Sequence, residues 1–175
     1  MNARRLSSHV LWPLVMAVMS VSGQPAMTGQ SPAPVNQLSS AALTAEEWSE
    51  VRQEDNPTKR TRKLLSMAAR RLTQAQAFIQ REHYSDVLTL LEQYKHILVY
   101  ALDSIDSLPE PERKRQRNAY KEIDLSLRKQ IPILQEIKRN FPREHPVVED
   151  SLLAAQRLRM TALNRFSGSD IFKIP

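Results

Sequence analysis

An all-α fold, an antiparallel up-down-up-down four-helix bundle preceded by a short extra helix, is what this sequence predicts, and three observations predict it. The strongest is a heptad seam. From Ser85 to Leu108, the residues Val87, Leu91, Tyr94, Leu98, Ala101, Ile105 and Leu108 recur at alternating spacings of four and three. Leu90 and Ile97 widen the seam into a stripe that can face several neighbours. The second observation is glycine: Gly23, Gly29 and Gly168 are the only three, so the body of the chain lacks the residue that φ > 0 hairpin turns favour. The third is that no stretch alternates apolar and polar residues at the period of a strand. Ordering a backbone residue costs about 1–2 kcal/mol, and burying a large apolar side chain returns about 1.5–3 kcal/mol. The Ser85–Leu108 helix therefore needs partner helices, and the rest of the chain supplies them.

Residues 1–23 read as an export signal. Arg4 and Arg5 precede the apolar run Val10 to Val21, and Val21 and Gly23 suit the small positions before a cleavage at Gln24, with a second option after Ala26. The run is short of the roughly 20 residues that cross a bilayer, and Pro13 interrupts it. Cleavage would remove two of 25 basic side chains, leaving 23 against 19 acidic ones and a charge of +4. No transmembrane anchor is then expected. Residues 24–42 carry no charge and are rich in Pro, Ser, Gln and Ala, the composition of a flexible linker.

The bundle is expected over 43–168. Thr44 and Glu47 spell a capping box, T-x-x-E, with Leu43 and Trp48 at the positions of a hydrophobic staple. That helix is short, shows Trp48 and Val51 on one face, and should end near Asp55. Asn56-Pro57 then caps and opens the second helix, whose seam is Leu65, Ala68, Leu72, Ala75 and Ile79. Glu82-His83-Tyr84 is too short a connection for anything but a helical hairpin. Ser85 is the expected cap of the third helix, and Pro109 and Pro111 stop it. The fourth helix runs from about Pro111 to Asn140, with Tyr120, Ile123, Leu127, Leu134, Ile137 and Phe141 on one face. Its polar start, Glu112 to Asn118, should project past the bundle or fray, and Pro132 should kink it. His145-Pro146 opens the fifth helix, Val148 to Phe166 forms its face, and Gly168 caps its end. The tail, 169–175, carries Ile171, Phe172 and Ile174 that could fold back on the bundle.

Three local likenesses accompany this pattern. Glu82-His83-Tyr84-Ser85-Asp86-Val87 resembles the inter-helix turn of tetratricopeptide repeats, although no second copy follows at their period. Leu43-Thr44-Ala45-Glu46-Glu47 and Leu72-Thr73-Gln74-Ala75-Gln76 resemble the L-T-x-x-Q motif of small helical periplasmic stress chaperones; the first departs at its last letter, and the second falls in mid-helix. The whole pattern is similar to exported all-helical bacterial proteins that carry no assigned activity.

The absence of cysteine excludes disulfides, thiolate metal sites, c-type haem attachment and lipoprotein acylation. There is no G-x-S-x-G, no phosphate-binding glycine loop and no H-E-x-x-H. No E-x-x-H pair faces inward, and His96 lies off the seam, where exposure is expected. Neither catalysis nor a cofactor is expected. Two constellations remain. Basic residues crowd two helix starts, Lys59, Arg60, Arg62, Lys63 and Arg113, Lys114, Arg115, Arg117, and the second set is an anion-binding candidate. Arg81-Glu82-His83 and Arg143-Glu144-His145 are the same tripeptide at two helix junctions. If they meet at one end of the bundle, Glu82, His83, Glu144 and His145 offer imidazole and carboxylate ligands suited to zinc; otherwise they join the hairpins. The expected function is an exported protein-interaction scaffold whose partner is another envelope or secreted protein, not nucleic acid. The alternatives are a periplasmic chaperone-like or metal-sensing bundle, and a binder of anions or of the envelope surface.

Overall fold

The structure, a computed structural model, describes residues 42–109 and 113–168. The predicted export signal, the predicted linker up to residue 41, the expected helix start at Pro111 and the tail lie outside the described residues. Within them the chain forms a helical bundle with no strand: α1 (Ala45–Arg52), α2 (Pro57–Ile79), α3 (Tyr84–Asp106), α4 (Arg113–Asn140) and α5 (Pro146–Ser167).

The caps explain most of the boundaries. Thr44 Oγ1 accepts from the Glu47 N–H at 3.2 Å, and the Thr44 N–H donates to Glu47 Oε2 at 3.0 Å, so the capping box is complete. α1 stops at Arg52, short of Asp55. Asn56 accepts from the Lys59 N–H at 3.2 Å, and Pro57 opens α2. Gly168, at φ +70°, closes α5 in the left-handed conformation.

At the end of α2 the sequence reading needs correction. Glu82 takes φ +59°, its N–H donates to the Ile79 carbonyl at 3.0 Å, and the His83 N–H reaches the Phe78 carbonyl at 3.0 Å. This is a Schellman stop with glutamate in the place glycine usually fills. It turns the chain early enough that α3 begins at Tyr84, capped by His83 without a side-chain bond. Ser85 is therefore not the cap but a residue of the first turn, its carbonyl accepting from Thr89 Oγ1 at 3.1 Å.

The start of α4 is the second correction. Glu112 lies outside the described residues, but the turn from Arg115 to Arg117 is tied to the bundle rather than projecting past it. Gln116 Nε2 donates to the Ile105 carbonyl at 3.2 Å, Arg117 Nε donates to the Phe166 carbonyl at 2.8 Å, and the Arg115 carbonyl accepts from Thr58 Oγ1 at 3.3 Å. Ile105 and Phe166 lie in the last turns of α3 and α5, where helix carbonyls run short of intrahelical donors; Arg117 serves the Phe166 carbonyl, and Gln116 joins the Leu108 N–H on the Ile105 carbonyl. A polar, cationic helix start is what those ends require. Farther on, α4 continues through Pro132, which is exposed.

α2 packs along α3 and α4 along α5; α2 also packs against α4, and α3 against α5, while α1 lies on α2. Six of the seven seam residues of α3 are buried, and Leu108 is half-buried. The predicted seams of α2 and α5 are likewise buried, with Phe166 half-buried. Trp48 of α1 meets Tyr100 of α3 edge-on, ring centres 4.9 Å apart. His96 is half-buried rather than exposed. Ala42, at the end of the predicted linker, is buried and accepts from Arg71 Nη2 at 3.3 Å. Among the described residues no helix is long and apolar enough to cross a membrane.

Candidate interaction surface

The two sequence candidates are placed as follows. The junctions carrying Arg-Glu-His do meet. Phe78 stacks on His83 at 5.8 Å, Tyr84 meets Phe141 edge-on at 5.3 Å, and Phe141 meets His145 at 5.9 Å. The ring that crosses between junctions is Tyr84 on Phe141, and each imidazole packs on the phenylalanine of its own junction. His145 Nδ1 accepts from the Val147 N–H at 3.3 Å, which caps α5, and His83 Nδ1 lies 3.5 Å from Asp86. Glu82 and Glu144 are exposed. Among the described residues no group of three or more His, Asp or Glu is arranged to hold a metal ion.

The basic helix starts separate into residues already engaged and residues facing water. In α2, Arg60 Nε donates to the Glu54 carbonyl at 2.9 Å. Lys63 Nζ donates to the Glu50 carbonyl at 3.3 Å and lies 3.5 Å from Glu54. The Asn56 N–H, donating to Glu54, and the nearby Lys63 hold that carboxyl below the usual glutamate range. Arg62 Nη2 pairs with Glu122 at 2.6 Å. In α4, the Arg113 side chain lies outside the described part; Arg115 is exposed; Arg117 is tied to Phe166, its guanidinium 5.1 Å from that ring's centre. Arg117 also borders a cleft of about 330 Å³ with Gln116, Tyr120, Arg165 and Phe166. Its Tyr120 hydroxyl donates to Asp106, and burial together with that carboxylate pushes the phenol up. Of the anion-binding candidates, only Lys114 points along the outward line of α4 described next.

That line was missed by reading helix starts alone. α4 buries Ile123, Leu127, Gln130, Leu134 and Ile137. At roughly 100° per residue, Lys114, Lys121, Leu125, Arg128, Pro132 and Arg139 fall within about 60° of arc on the opposite side, and all are exposed. The acids of α4 are drawn to its flanks. Glu122 pairs with Arg62 of α2, Asp124 accepts from Arg159 Nε of α5 at 2.9 Å, and Glu136 accepts from Gln76 Nε2 of α2 at 3.0 Å. Lys114, Lys121 and Arg139 have no ion-pair partner among the described residues, and Arg128 is 4.0 Å from Asp124 with its side chain 65% exposed. The result is a single row of cations without carboxylates among them. Beside the row, between α2 and α4, lies a cleft of about 300 Å³ whose lining includes Leu65, Ser66, Ala69, Leu125 and Lys129. The signal was legible in the sequence as lysine and arginine at heptad spacing opposite the apolar seam.

No protein-family model, no curated protein and no solved structure matches this chain.

Proposed function

We propose that this protein is an exported protein-interaction scaffold: a four-helix bundle of alternating helix direction, with α1 as an extra, that binds a partner through the outer face of α4 and performs no catalysis. The observation that carries the reading is the cation row on α4, of which Arg128 alone reaches a carboxylate, at 4.0 Å, borne by a helix whose opposite face is packed. Alternating direction is supported by the flank contacts. Arg62–Glu122 and Gln76–Glu136 advance along α2 and α4 together, whereas Asp124–Arg159 and Lys138–Glu149 advance along α4 and α5 in opposite senses. Two hairpins set side by side, with α2 beside α4 and α3 beside α5, satisfy both.

Binding rather than chemistry is favoured because Arg60, Arg62, Lys63, Arg117 and His145, among the polar groups that drew attention in the sequence, are engaged in building the bundle. A chaperone would offer a broad apolar face, yet the large exposed apolar side chains among the described residues, Val99, Leu125 and Leu153, lie one each on α3, α4 and α5. Export is supported by Arg4-Arg5, the apolar run and the small residues after it. The intact mass of protein recovered from the producing cell should lack residues 1–23; full-length protein in the cytoplasm would sink that part of the reading.

The scaffold itself is tested by placing a photo-crosslinking phenylalanine at position 125 of the full chain in the producing cell. One partner protein, identifiable by mass spectrometry, should be trapped from 125, not from position 153 on α5, and Lys121→Glu should abolish the adduct. No adduct, or one indifferent to Lys121, overturns the proposal.

A further inference from the structure

We infer that the partner surface matched to α4 is an acidic amphipathic helix, laid along the cation row with one apolar side chain seated in the cleft between α2 and α4. The inference deepens the scaffold reading and rests on it.

Three observations select this occupant. The first is spacing. Lys114, Lys121 and Arg128 are seven residues apart in turn, and Arg139 follows after eleven. At about 1.5 Å per residue the first two steps are each about 10 Å and the row spans about 38 Å. A neighbouring helix that repeats Glu or Asp every seventh residue presents carboxylates at the same interval. The second is width. Beside the row stand Asn118, Gln135 and Glu136, with Arg117 tied to Phe166 on one side and Lys129 at the cleft on the other, and Arg62 of α2 is already neutralised by Glu122. A planar anionic surface would meet one row of charge with Lys129 alone beside it as a further unpaired cation, whereas contact between two helices is itself about one row wide and takes in the cleft that Lys129 borders. The third is the cleft. Leu125 stands in the row, 41% exposed, and rims a concavity of about 300 Å³ floored in part by Leu65 and Ala69. An apolar side chain from a helix can enter there, and neither a polysaccharide nor a phosphate-bearing headgroup brings one. Charges then fix register and speed encounter, and the apolar contact supplies an anchor.

The experiment uses the full chain and two synthetic helical peptides of 28 residues or so. One places Glu at every seventh position with a Leu facing the cleft; the other has the same composition with the Glu residues moved off one line. The first should bind, with affinity falling as salt rises, and the second should bind at least tenfold more weakly. Lys121→Glu combined with Arg139→Glu should weaken the first peptide more than tenfold, with an unchanged melting temperature. Ser66→Trp, which closes the cleft from an exposed position, should weaken it several-fold at unchanged charge. Equal binding of both peptides, or indifference to the charge-reversed variant, overturns the inference. So does binding to phosphatidylglycerol vesicles in the absence of peptide binding, which would assign the row to a lipid surface. If the peptides fail while the adduct at 125 persists, the acidic-helix inference alone is lost. If both fail, the scaffold reading falls with it.

Discussion

Glu47 shows how much one side chain can carry in a short helix. Its carboxylate closes the capping box of α1, receives Arg71 Nη2 at 2.6 Å and receives Arg70 Nη2 at 3.2 Å. The first two of these charged side chains are nearly buried, 12% and 10% exposed. Burial works to raise the pKa of Glu47, but the Arg71 hydrogen bond, the Thr44 N–H and the charges of Arg71 and Arg70 outweigh it. The carboxyl is thus held below the ordinary glutamate range. A depressed folded pKa contributes stability that is fully present above the unfolded value, near pH 4.3, and is lost as pH falls through the folded value. Docking of α1 should therefore weaken below about pH 4. The reporter is Trp48, packed on Tyr100, read by fluorescence in a Trp12→Phe background. Glu47→Gln should give the undocked signal at neutral pH and flatten the profile; an unchanged profile would refute the latch. The T-x-x-E box was legible in the sequence because it is local. The arginines were not, because they lie more than twenty residues away along the chain. Glu82 and Glu144 make the same point from the other side. One identical tripeptide adopts φ +59° at Glu82 and no positive φ at Glu144, so the surrounding helices, not the three letters, decide the conformation.

At the scale of the helix, α3 was the most readable element, since a heptad seam is a statement about one face and that face is buried as a unit. Leu98 is 1% exposed, and Leu98→Ala should cost about 2–5 kcal/mol by removing methyl groups from a site with neighbours on several helices. The side chain of His96, two positions away and half-buried, makes no hydrogen bond among the described residues, and His96→Ala should cost under about 0.5 kcal/mol. Chemical denaturation of the two variants checks the register, and the reverse ranking would refute it. Reading failed where an element answers to another element's end. Gln116 and Arg117 look like a solvated helix start on their own. They become structural only when the helix-end carbonyls of Ile105 and Phe166 are brought beside them, and no periodicity announces that meeting. The cation row of α4, though spelled out at heptad spacing, is overlooked for a related reason. Sequence reading weighs runs of charge, and this row is spread at one residue in seven, with its local acids turned away by arginines and a glutamine of other helices.

The whole molecule poses the question of which hairpin faces which. The proposed alternation of helix direction can be built on either of two plans. If sequence neighbours are also neighbours around the bundle, α3 packs along α4 and α2 along α5. If the hairpins lie side by side, α2 packs along α4 and α3 along α5, and α3 faces α4 across the core. Apolar seams alone do not separate these plans, because both bury the same faces. The flank charges do. Glu122 and Glu136 of α4 reach α2, and Asp124 on the other flank reaches α5. An exposed pair such as Arg62–Glu122 adds at most about 1 kcal/mol, but a plan that separated several such pairs would expose mismatched charges on every flank. Zero-length carbodiimide coupling joins amines to carboxylates in contact, which makes the plan measurable. Lys138 lies 2.6 Å from Glu149, so the wild-type chain should yield a 138–149 cross-link, as either plan allows. Arg62→Lys converts the 62–122 pair into a substrate for the same reagent. Only the side-by-side plan predicts a 62–122 cross-link within one chain. Its absence, with 138–149 present in the same digest, would show that α2 and α4 are not neighbours. The cleft beside the cation row would then lose one of its two walls.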